Sequence, residues 1–261
     1  MRWRTVKQYV AADAGVIGMA LADLDGNGTP DLIAANATAY SIQASENDGT
    51  GAFTLRTTIP TIAKPIALAA ANVSGNALPD LIVANRYAHT VDILENTGAF
   101  AFSNVATLTL PSSWQPRDVA AGDVDGDGLA DILVVSISAN KLSVFRNLGG
   151  NTFAPRVDYG TGSTPRRVIL ADFNGDGHLD VAVAHRSSNT AAVRINNGDG
   201  TFGTPTTYPA ASSVTSIAAG DLNGDKAIDL VAVSYDTHHL FVFENMNNGT
   251  GTLSLLSPPY A

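Results

Sequence analysis

The sequence predicts an all-β fold, a β-propeller of about five four-stranded blades, from three observations. A nine-residue acidic loop recurs five times, and the first residues of successive copies are separated by 49, 51, 49 and 49 positions. Each period carries several short β-rich runs separated by Gly, Asn, Asp or Pro. No long segment shows the 3.6-residue apolar periodicity of a helix. Four antiparallel strands in each such period are the composition of a propeller blade.

The five acidic loops divide the chain into repeats. They occupy residues 23–31, 72–80, 123–131, 172–180 and 221–229. We expect one β-propeller domain over residues 1–261, because a large all-β domain of this length is common. A calcium-binding nonapeptide β-helix is the competing metal-rich repeat. It would require a period of about nine residues over long stretches, and the sequence has none.

The third repeat shows the four strands that we expect in each blade, called a to d. They lie at residues 118–122, 132–136, 142–146 and 153–159.

Both termini resemble a d strand, so an outer strand is duplicated at the two ends of the chain. The two segments are residues 3–10 and 252–260, and they give six d-like strands for five a-b-c sets. The N-terminal strand could close the ring by pairing with the last blade, which would remove the open edges. The surplus strand could instead extend an edge or pair with another chain. Closure with five blades and assembly with other chains therefore both remain open.

Composition excludes several classes of protein. The chain has no cysteine, which rules out disulfides and thiolate metal sites. No run of 18 apolar residues predicts a membrane span, and the first ten residues lack the apolar stretch of a signal peptide. No basic cluster is dense enough to predict nucleic-acid binding. Fourteen of the 24 acidic residues lie in the loops, so the rest of the chain has 10 acidic against 15 basic residues.

The loops have the donor pattern of a calcium site. Positions 1, 3, 5 and 9 carry side-chain oxygens, and the carbonyl at position 7 can add another ligand. Oxygen-only donors in a tight glycine-containing loop suit Ca²⁺ better than Mg²⁺ or a transition metal. The alternative is an Asx-turn hairpin whose acidic side chains cap their own backbone. The candidate ligands are Asp23, Asp25, Asn27, Thr29 and Asp31; Asp123, Asp125, Asp127, Leu129 and Asp131; Asp172, Asn174, Asp176, His178 and Asp180; and Asp221, Asn223, Asp225, Ala227 and Asp229.

The five loops are unequal. The third has four carboxylates, the first, fourth and fifth have three each, and the second has only Asp80. One carboxylate is a poor match for a divalent ion, so we expect about four Ca²⁺ sites, with loop 72–80 empty. In the fifth loop Lys226 replaces a turn glycine and adds a positive charge, which predicts the weakest of the four sites.

These loops and the segments after them resemble FG-GAP/VCBS repeats. The pattern is Asp-x-Asn/Asp-Gly-Asp-Gly-x-x-Asp, then an apolar strand and Asn-Asn-Gly-Asp-Gly-Thr-Phe, whose closing part residues 198–202 match. Such repeats form the blades of calcium-binding propellers, including the integrin α-chain head and some lectins. The resemblance covers nearly the whole chain and implies that the loop positions are calcium ligands. The family commonly builds seven blades, and five repeats depart from that number.

The face opposite the metal loops is the expected binding face. In a blade the a–b and c–d loops share one face, so the b–c and d–a loops lie on the other. Aromatic rings beside Asn, Arg and His donors suit a sugar, because its apolar face stacks and its hydroxyls need polar partners. We expect Arg117 and Arg166, near the axis, to attract an anion such as a uronate. The candidate ligand-binding residues are Tyr40, Arg86, Tyr87, Trp114, Arg117, Arg166, His185, Arg186 and Tyr235.

These features predict a calcium-stabilised, non-enzymatic binding module, with a carbohydrate-binding lectin as the leading case. Extracellular or cell-surface localisation is expected, because such loops often need the calcium level found outside cells. The expected partner is a glycan or a protein, with neither nucleic acid nor membrane insertion, and a homo-oligomer through a terminal strand is an option. Two alternatives stay open: a protein–protein adhesion or self-assembly module, and a polysaccharide-active enzyme such as a lyase or hydrolase. No nucleophile motif supports the enzyme.

Overall fold

A computed structural model describes residues 15–256 of the protein and contains five four-stranded antiparallel sheets. The predicted all-β propeller of about five blades is confirmed. The N-terminal d-like segment lies outside the described residues. At the other end, residues 253–255 form the outer strand of the fifth sheet, and residues 257–261 lie outside.

The strands follow one another through the sheets in chain order. Blades 1 to 3 comprise β1 (Val16–Ala22), β2 (Asp31–Asn36), β3 (Ser41–Asn47) and β4 (Phe53–Pro60); β5 (Pro65–Ala71), β6 (Asp80–Asn85), β7 (Thr90–Gly98) and β8 (Ala101–Thr109); and β9 (Pro116–Gly122), β10 (Asp131–Ser136), β11 (Lys141–Phe145) and β12 (Val157–Gly160). Blades 4 and 5 comprise β13 (Pro165–Ala171), β14 (Asp180–His185), β15 (Thr190–Arg194) and β16 (Thr206–Pro209); and β17 (Val214–Gly220), β18 (Asp229–Ser234), β19 (Leu240–Asn245) and β20 (Leu253–Leu255).

The first strand of each blade is the innermost strand. β1 packs beside β5, β5 beside β9, β9 beside β13, and β13 beside β17. The remaining strands of each blade extend outwards from this inner row.

The hydrophobic core lies between the blades, which explains why the second strands are apolar throughout. Successive side chains of a strand point to opposite faces. In β10, Ile132 packs in the cluster shared with blade 2, whereas Leu133 packs in the cluster shared with blade 4. Both faces are buried, so the strand needs apolar residues at consecutive positions rather than at alternate ones.

An asparagine at or near the end of the third strand joins each of blades 2 to 5 to the blade before it. Asn147 is fully buried, and its Nδ2 donates to the carbonyl of Val73 in blade 2 (2.8 Å) and to that of Ala130 in its own blade (3.2 Å). The same bond between blades runs from Asn96 to Leu24, from Asn196 to Val124 and from Asn245 to Phe173. Asn47 of blade 1 donates to its own blade at Pro30. The repeat therefore builds one polar link into every interface between blades.

Replacing Asn147 by alanine should destabilise the protein more than replacing Asn47 does. Both changes lose contacts within a blade, but only Asn147→Ala leaves the buried Val73 carbonyl without its donor. An unsatisfied buried group costs about 1–3 kcal/mol, so we expect a difference of about 1–2 kcal/mol in the free energy of unfolding. Urea denaturation of the two variants measures it, and equal losses would contradict the assigned link.

The two end blades each leave one face uncovered by residues 15–256. Met19 of β1 is 68% exposed, whereas the equivalent Leu68 of β5 is 7% exposed. At the other end Leu222 is 58% exposed, whereas the equivalent Val124 is 1% exposed. The described part of β1 and β17 lacks the packing that joins the other neighbouring inner strands. We call these surfaces the leading face (Ile17, Met19 and Leu21) and the trailing face (Leu222, Val233 and Leu240).

Candidate metal loops and the opposite face

The first aspartate of each predicted calcium loop organises the turn. In the third loop Asp123 Oδ1 accepts from the Gly126 N–H at 2.7 Å, and Oδ2 accepts from the Gly128 N–H at 2.8 Å. The fifth loop keeps this arrangement although Lys226 stands where the first, third and fourth loops have glycine, and Lys226 has φ +73°. A non-glycine residue in this left-handed region is strained. This strain is consistent with the expected weakness of the fifth site.

The ninth residue of each loop is a buried carboxylate held by backbone donors. Asp131 Oδ2 accepts from the Val124 N–H at 2.9 Å, and Oδ1 accepts from the Asn147 N–H at 2.7 Å. The equivalent residues in the other loops are Asp31, Asp80, Asp180 and Asp229, and each accepts the same two bonds. This residue therefore ties the loop to the end of the third strand, a role that the sequence reading did not assign to it.

The fifth residue of each loop forms an Asx turn. Asp127 Oδ1 accepts from the Leu129 N–H at 2.8 Å. Asn27, Asn76, Asp176 and Asp225 accept the equivalent bond. The capping that we considered as the alternative to metal binding is thus present in every loop. It does not exclude a cation, because a carboxylate has about four acceptor sites.

Two loops bring three carboxylates together within the described part of the chain. Asp23, Asp25 and Asp31 form one cluster, with oxygens within 4.8 Å of one another. Asp123, Asp125 and Asp131 form the other, at the same spacing. These two clusters are the loops whose third residue is Asp.

The third loop also has an oxygen that a cation would satisfy. Asp125 Oδ1 is buried and has no hydrogen-bond donor among residues 15–256, although Arg146 Nη1 lies 3.5 Å from Asp125 Oδ2. Burial, together with the charges of Asp125 and Asp127, raises the pKa of Asp131 to about 6, although the two backbone hydrogen bonds oppose the shift. This crowding of oxygens is the environment that a hard divalent cation stabilises.

The fourth and fifth loops carry an asparagine at position 3 instead. Asn174 Nδ2 donates to Asp176 Oδ2 at 2.8 Å, and Asn223 Nδ2 donates to Glu244 Oε1 at 2.9 Å. Their donor sets therefore contain one anionic oxygen group fewer than that of the third loop.

The opposite face is built by the b–c turns and the d–a loops, as expected. The Arg86 N–H donates to the Lys64 carbonyl at 3.1 Å, and the Arg186 N–H donates to the Thr164 carbonyl at 3.0 Å. Such bonds repeat from blade to blade, so this face is a continuous surface of short loops. Predicted ligand residues in the b–c turns are Tyr40, Arg86, Tyr87, Arg186 and Tyr235, and the three tyrosines are exposed.

Two predicted ligand residues, Arg86 and Trp114, bond to a residue of the neighbouring blade. Arg86 Nε donates to Gln115 Oε1 at 3.0 Å, and its guanidinium lies 5.5 Å from the centre of the Tyr87 ring. Trp114 is half-buried in the loop before β9, where its carbonyl lies 2.6 Å from His89 Nδ1. In this part of the face, blade 2 thus contributes the guanidinium of Arg86, and blade 3 contributes the indole of Trp114.

His185 lies in a strand rather than in a turn. It is the last residue of β14 and is buried, although the sequence reading placed it in the b–c loop. Burial, with a smaller effect from nearby Arg194, lowers its pKa to about 4, so the imidazole is neutral at pH 7. Its Nδ1 lies 3.1 Å from Thr190 Oγ1, and its Nε2 has no partner among the described residues.

A cavity of about 250 Å³ opens beside this imidazole. Its wall combines apolar Val183, Ala192 and Pro205 with polar Ser188 and Arg194. Arg194 is held in place by the carbonyls of Gly160 and Gly203, at 2.6 and 2.5 Å. The cavity, which we call the His185 pocket, therefore joins an apolar surface to an unpaired polar atom. Spacing and composition gave no signal for it.

Arg117 and Arg166 lie in the first strands of blades 3 and 4, at the axis of the molecule. Both line one axial cavity, together with residues from the first strands of the other three blades. Their predicted location at the channel mouth agrees with this placement. Tyr40 and Tyr235 lie on the two end blades, away from this pair in the order of the blades.

This inner row of strands, with an acidic loop on each blade, defines a β-propeller built from FG-GAP-type blades. The sequence profile of the FG-GAP-like repeat matches residues 23–83, 72–134, 134–183 and 172–232. The chain belongs to the FG-GAP-like repeat family. No curated protein matches the chain.

Solved structures share the fold at low sequence identity. A lectin from Agrocybe aegerita that recognises non-reducing terminal N-acetylglucosamine is 22% identical, with a TM-score of 0.61 over 91% of this chain. A protein from Lactobacillus plantarum is 17% identical, with a TM-score of 0.68 over 97% of this chain and 73% of its own. The periplasmic gluconolactonase of Pseudomonas aeruginosa is 18% identical, with a TM-score of 0.65 over 92% of this chain and 70% of its own.

The chain is shorter than these relatives in structure. The match spans 65% of the Agrocybe aegerita lectin. Residues 15–256 contain no helix that is long and apolar enough to cross a membrane.

Proposed function

We propose that the protein is a non-enzymatic carbohydrate-binding module whose ligand binds on the face opposite the acidic loops. The observation that carries the proposal is the His185 pocket, in which a buried, neutral imidazole presents an unpaired Nε2. A sugar hydroxyl can both donate and accept, so it can pair with either tautomer of this atom. Val183 and Ala192 offer an apolar surface to the C–H face of a sugar ring. The lectin among the structural relatives supports the proposal at the level of the fold.

A glycan array, read in calcium and in EDTA, tests the proposal. We expect the protein to bind a defined set of glycans, and His185→Ala to weaken that binding at least about tenfold by removing a buried polar atom that has no partner among residues 15–256. His89→Ala is the matched control, because His89 is half-buried on the same face and bonded to Trp114. If the folded protein bound no glycan on the array, the proposal would be contradicted. Equal losses of glycan binding in the two variants would contradict it as well.

We further propose that Ca²⁺ binds to the acidic loops and stabilises the fold, most tightly at the first and third. The converging carboxylates and the unpaired Asp125 Oδ1 support this. Four sites, with loop 72–80 empty, remain the expected number. A requirement for millimolar calcium would favour an extracellular or cell-surface location.

Calcium should raise the melting temperature of the wild type by more than that of Asp125→Asn. A ligand that binds only the folded state adds about 2.7 kcal/mol when present at 100 times its dissociation constant, and weakening one site removes part of that gain. Melting curves in calcium and in EDTA measure the difference, with Asn76→Ala in the second loop as the control. An equal response of all three proteins would contradict the assignment.

A second candidate function is self-assembly, and the uncovered end faces favour it. Inside the chain, each interface between neighbouring blades is formed by two surfaces. The leading face of blade 1 is equivalent to one of these surfaces, and the trailing face of blade 5 is equivalent to the other. Among residues 15–256, Asn47 has no carbonyl of a preceding blade to bond, whereas its equivalents have one. At the other end, Leu222 is the equivalent of the residues that supply those carbonyls. A second copy of this chain would supply both missing halves in a head-to-tail contact, which forms rings or filaments.

Sedimentation of two matched variants tests this. We expect concentration-dependent association of the wild type, and loss of it in Met19→Asp and in Leu222→Asp. Mixing the two variants should restore a 1:1 dimer, because each keeps the face that the other lacks. Leu148→Asp, in an exposed loop of blade 3, is the control. A wild type that is monomeric at every concentration, or a mixture that stays monomeric, overturns the proposal.

A polysaccharide-active enzyme is the third candidate function. It predicts turnover of a polysaccharide that disappears when Arg117 or Arg166 becomes alanine. Unchanged turnover in both variants would remove these arginines from any catalytic role.

A further inference from the structure

Every innermost strand contains an irregularity at the same position. The pairing of the first two strands shifts register between Val16 and Gly18 in blade 1, and between Pro65 and Ala67 in blade 2. The other three blades shift at the equivalent step. A bulge re-aims a side chain and is common beside functional sites. The bulged residues are Ile17, Ile66, Arg117, Arg166 and Thr215.

All five bulged residues line one axial cavity of about 160 Å³. The residue at the bulge differs from blade to blade: blades 3 and 4 supply arginine, and blade 5 supplies threonine. Ile66 of blade 2 instead packs in the core shared with blade 3, and Ile17 of blade 1 is part of the leading face. The cavity is therefore mostly polar, with its cationic side on blades 3 and 4.

The two bulged arginines have no anionic partner in the described chain. Nε of Arg117 and Nε of Arg166 are both buried and without an acceptor, and neither guanidinium forms an ion pair with a residue in the range 15–256. Asp118 is the one carboxylate that lines the cavity. Its oxygens are bound by Arg167 Nη1 at 3.3 Å and by the Val168 N–H at 2.8 Å.

The surrounding charges make this arrangement unfavourable without an anion. Burial lowers the pKa of Arg117; Asp118 opposes that shift, and Arg86 and Arg167 lower the pKa further. Burial also lowers the pKa of Arg166, with further lowering from Arg117, Arg186 and Arg86. Both arginines are partly buried, so solvent screens their mutual repulsion less than at the open surface, and an anion between them would relieve it.

We infer that the axial cavity is a binding site for an organic carboxylate, which Arg117 and Arg166 hold. The planar guanidinium matches a carboxylate with two parallel hydrogen bonds. The inference goes beyond glycan binding at the His185 pocket, because the pocket residues and the axial residues are separate sets. A uronic acid has such a carboxylate, and its hydroxyls suit the polar residues Thr215 and Ser216 of the same cavity.

Isothermal titration of the full chain with glucuronate, glucose and inorganic phosphate tests the inference. We expect glucuronate to bind at least about tenfold more tightly than glucose, and the affinity to fall as salt screens the charges. Arg117→Gln and Arg166→Gln should each weaken glucuronate binding about tenfold or more, since each removes a charged hydrogen-bond donor. Arg156→Gln is the control, because Arg156 stacks on Trp114 and pairs with Asp158 instead of lining the cavity.

The outcomes separate this site from the His185 pocket. The loss of glucuronate affinity in Arg117→Gln should be the same in a His185→Ala background, so failure of glycan binding at that pocket does not remove the axial site. Equal binding of glucose and glucuronate, no binding of either, or an equal loss in Arg156→Gln overturns the inference. Binding of phosphate without glucuronate overturns the carboxylate assignment. If Arg117→Gln does not fold, as judged by circular dichroism, Arg166→Gln decides alone.

Discussion

Replacing Asp80 by alanine should lower the free energy of unfolding by about 3–5 kcal/mol, and by the same amount in calcium and in EDTA. Asp80 is fully buried, and its carboxylate accepts from the backbone N–H groups of Val73 and Ser74 at 2.8 Å and of Asn96 at 2.9 Å. Hydrogen bonds to a charged group contribute about 1.5–3 kcal/mol each, and the bonds here share one carboxylate. The loop has no other carboxylate, so the loss does not depend on a metal.

Asn76→Ala in the same loop is the control for Asp80→Ala. Asn76 is exposed, so its loss should cost about 1 kcal/mol. Urea denaturation in calcium and in EDTA gives the change in the free energy of unfolding for both variants under both conditions. A loss that appears only in calcium would mean that Asp80 acts through a bound ion. A loss no larger than that of Asn76→Ala would contradict the role assigned to the ninth residue of every loop.

Acidification should destabilise the protein through His185. Burial lowers the pKa of His185 to about 4, below its ordinary 6.5, so the unfolded chain binds a proton that the folded chain excludes. The stabilisation from the neutral imidazole is complete above pH 6.5 and is lost as the pH falls towards 4. A shift of this size corresponds to roughly 3 kcal/mol at pH 4, as an order of magnitude.

His185→Asn is the matched variant for the pH measurement. Blades 1 and 2 carry Asn36 and Asn85 at the equivalent position, so asparagine is compatible with the strand. We expect the wild type to lose stability relative to His185→Asn between pH 7 and pH 4, because titration of the acidic loops is common to both proteins. Parallel stability curves for the two proteins would show that His185 is not held neutral.

The repeat and the fold class could be predicted from the sequence, because they depend on local patterns. Period, turn residues and short apolar runs are sufficient to place five acidic loops and four strands per blade. The apolar second strands, such as β10, could be predicted for the same reason. The candidate metal residues followed from donor type and spacing within nine residues.

Contacts between distant residues could not be predicted from these local patterns. Asn147 bonds to Val73, which lies 74 positions away, yet in the sequence Asn147 looks like an ordinary turn residue. The ninth aspartate of each predicted metal loop looked like a metal ligand, but one of its oxygens also accepts from the backbone at the end of the third strand. His185 looked like a loop residue because the end of β14 could not be located without the pairing to β15.

The sequence by itself determined the all-β repeat, the family and the position of the acidic loops, since these are encoded in segments a few residues long. Only the tertiary structure decided which side chains meet. It brought together the bulged residues of five blades at one axis, paired His185 with a cavity, and left the end faces uncovered. Those results depend on how blades stack, and stacking is set by side chains that lie about 50 residues apart in the sequence.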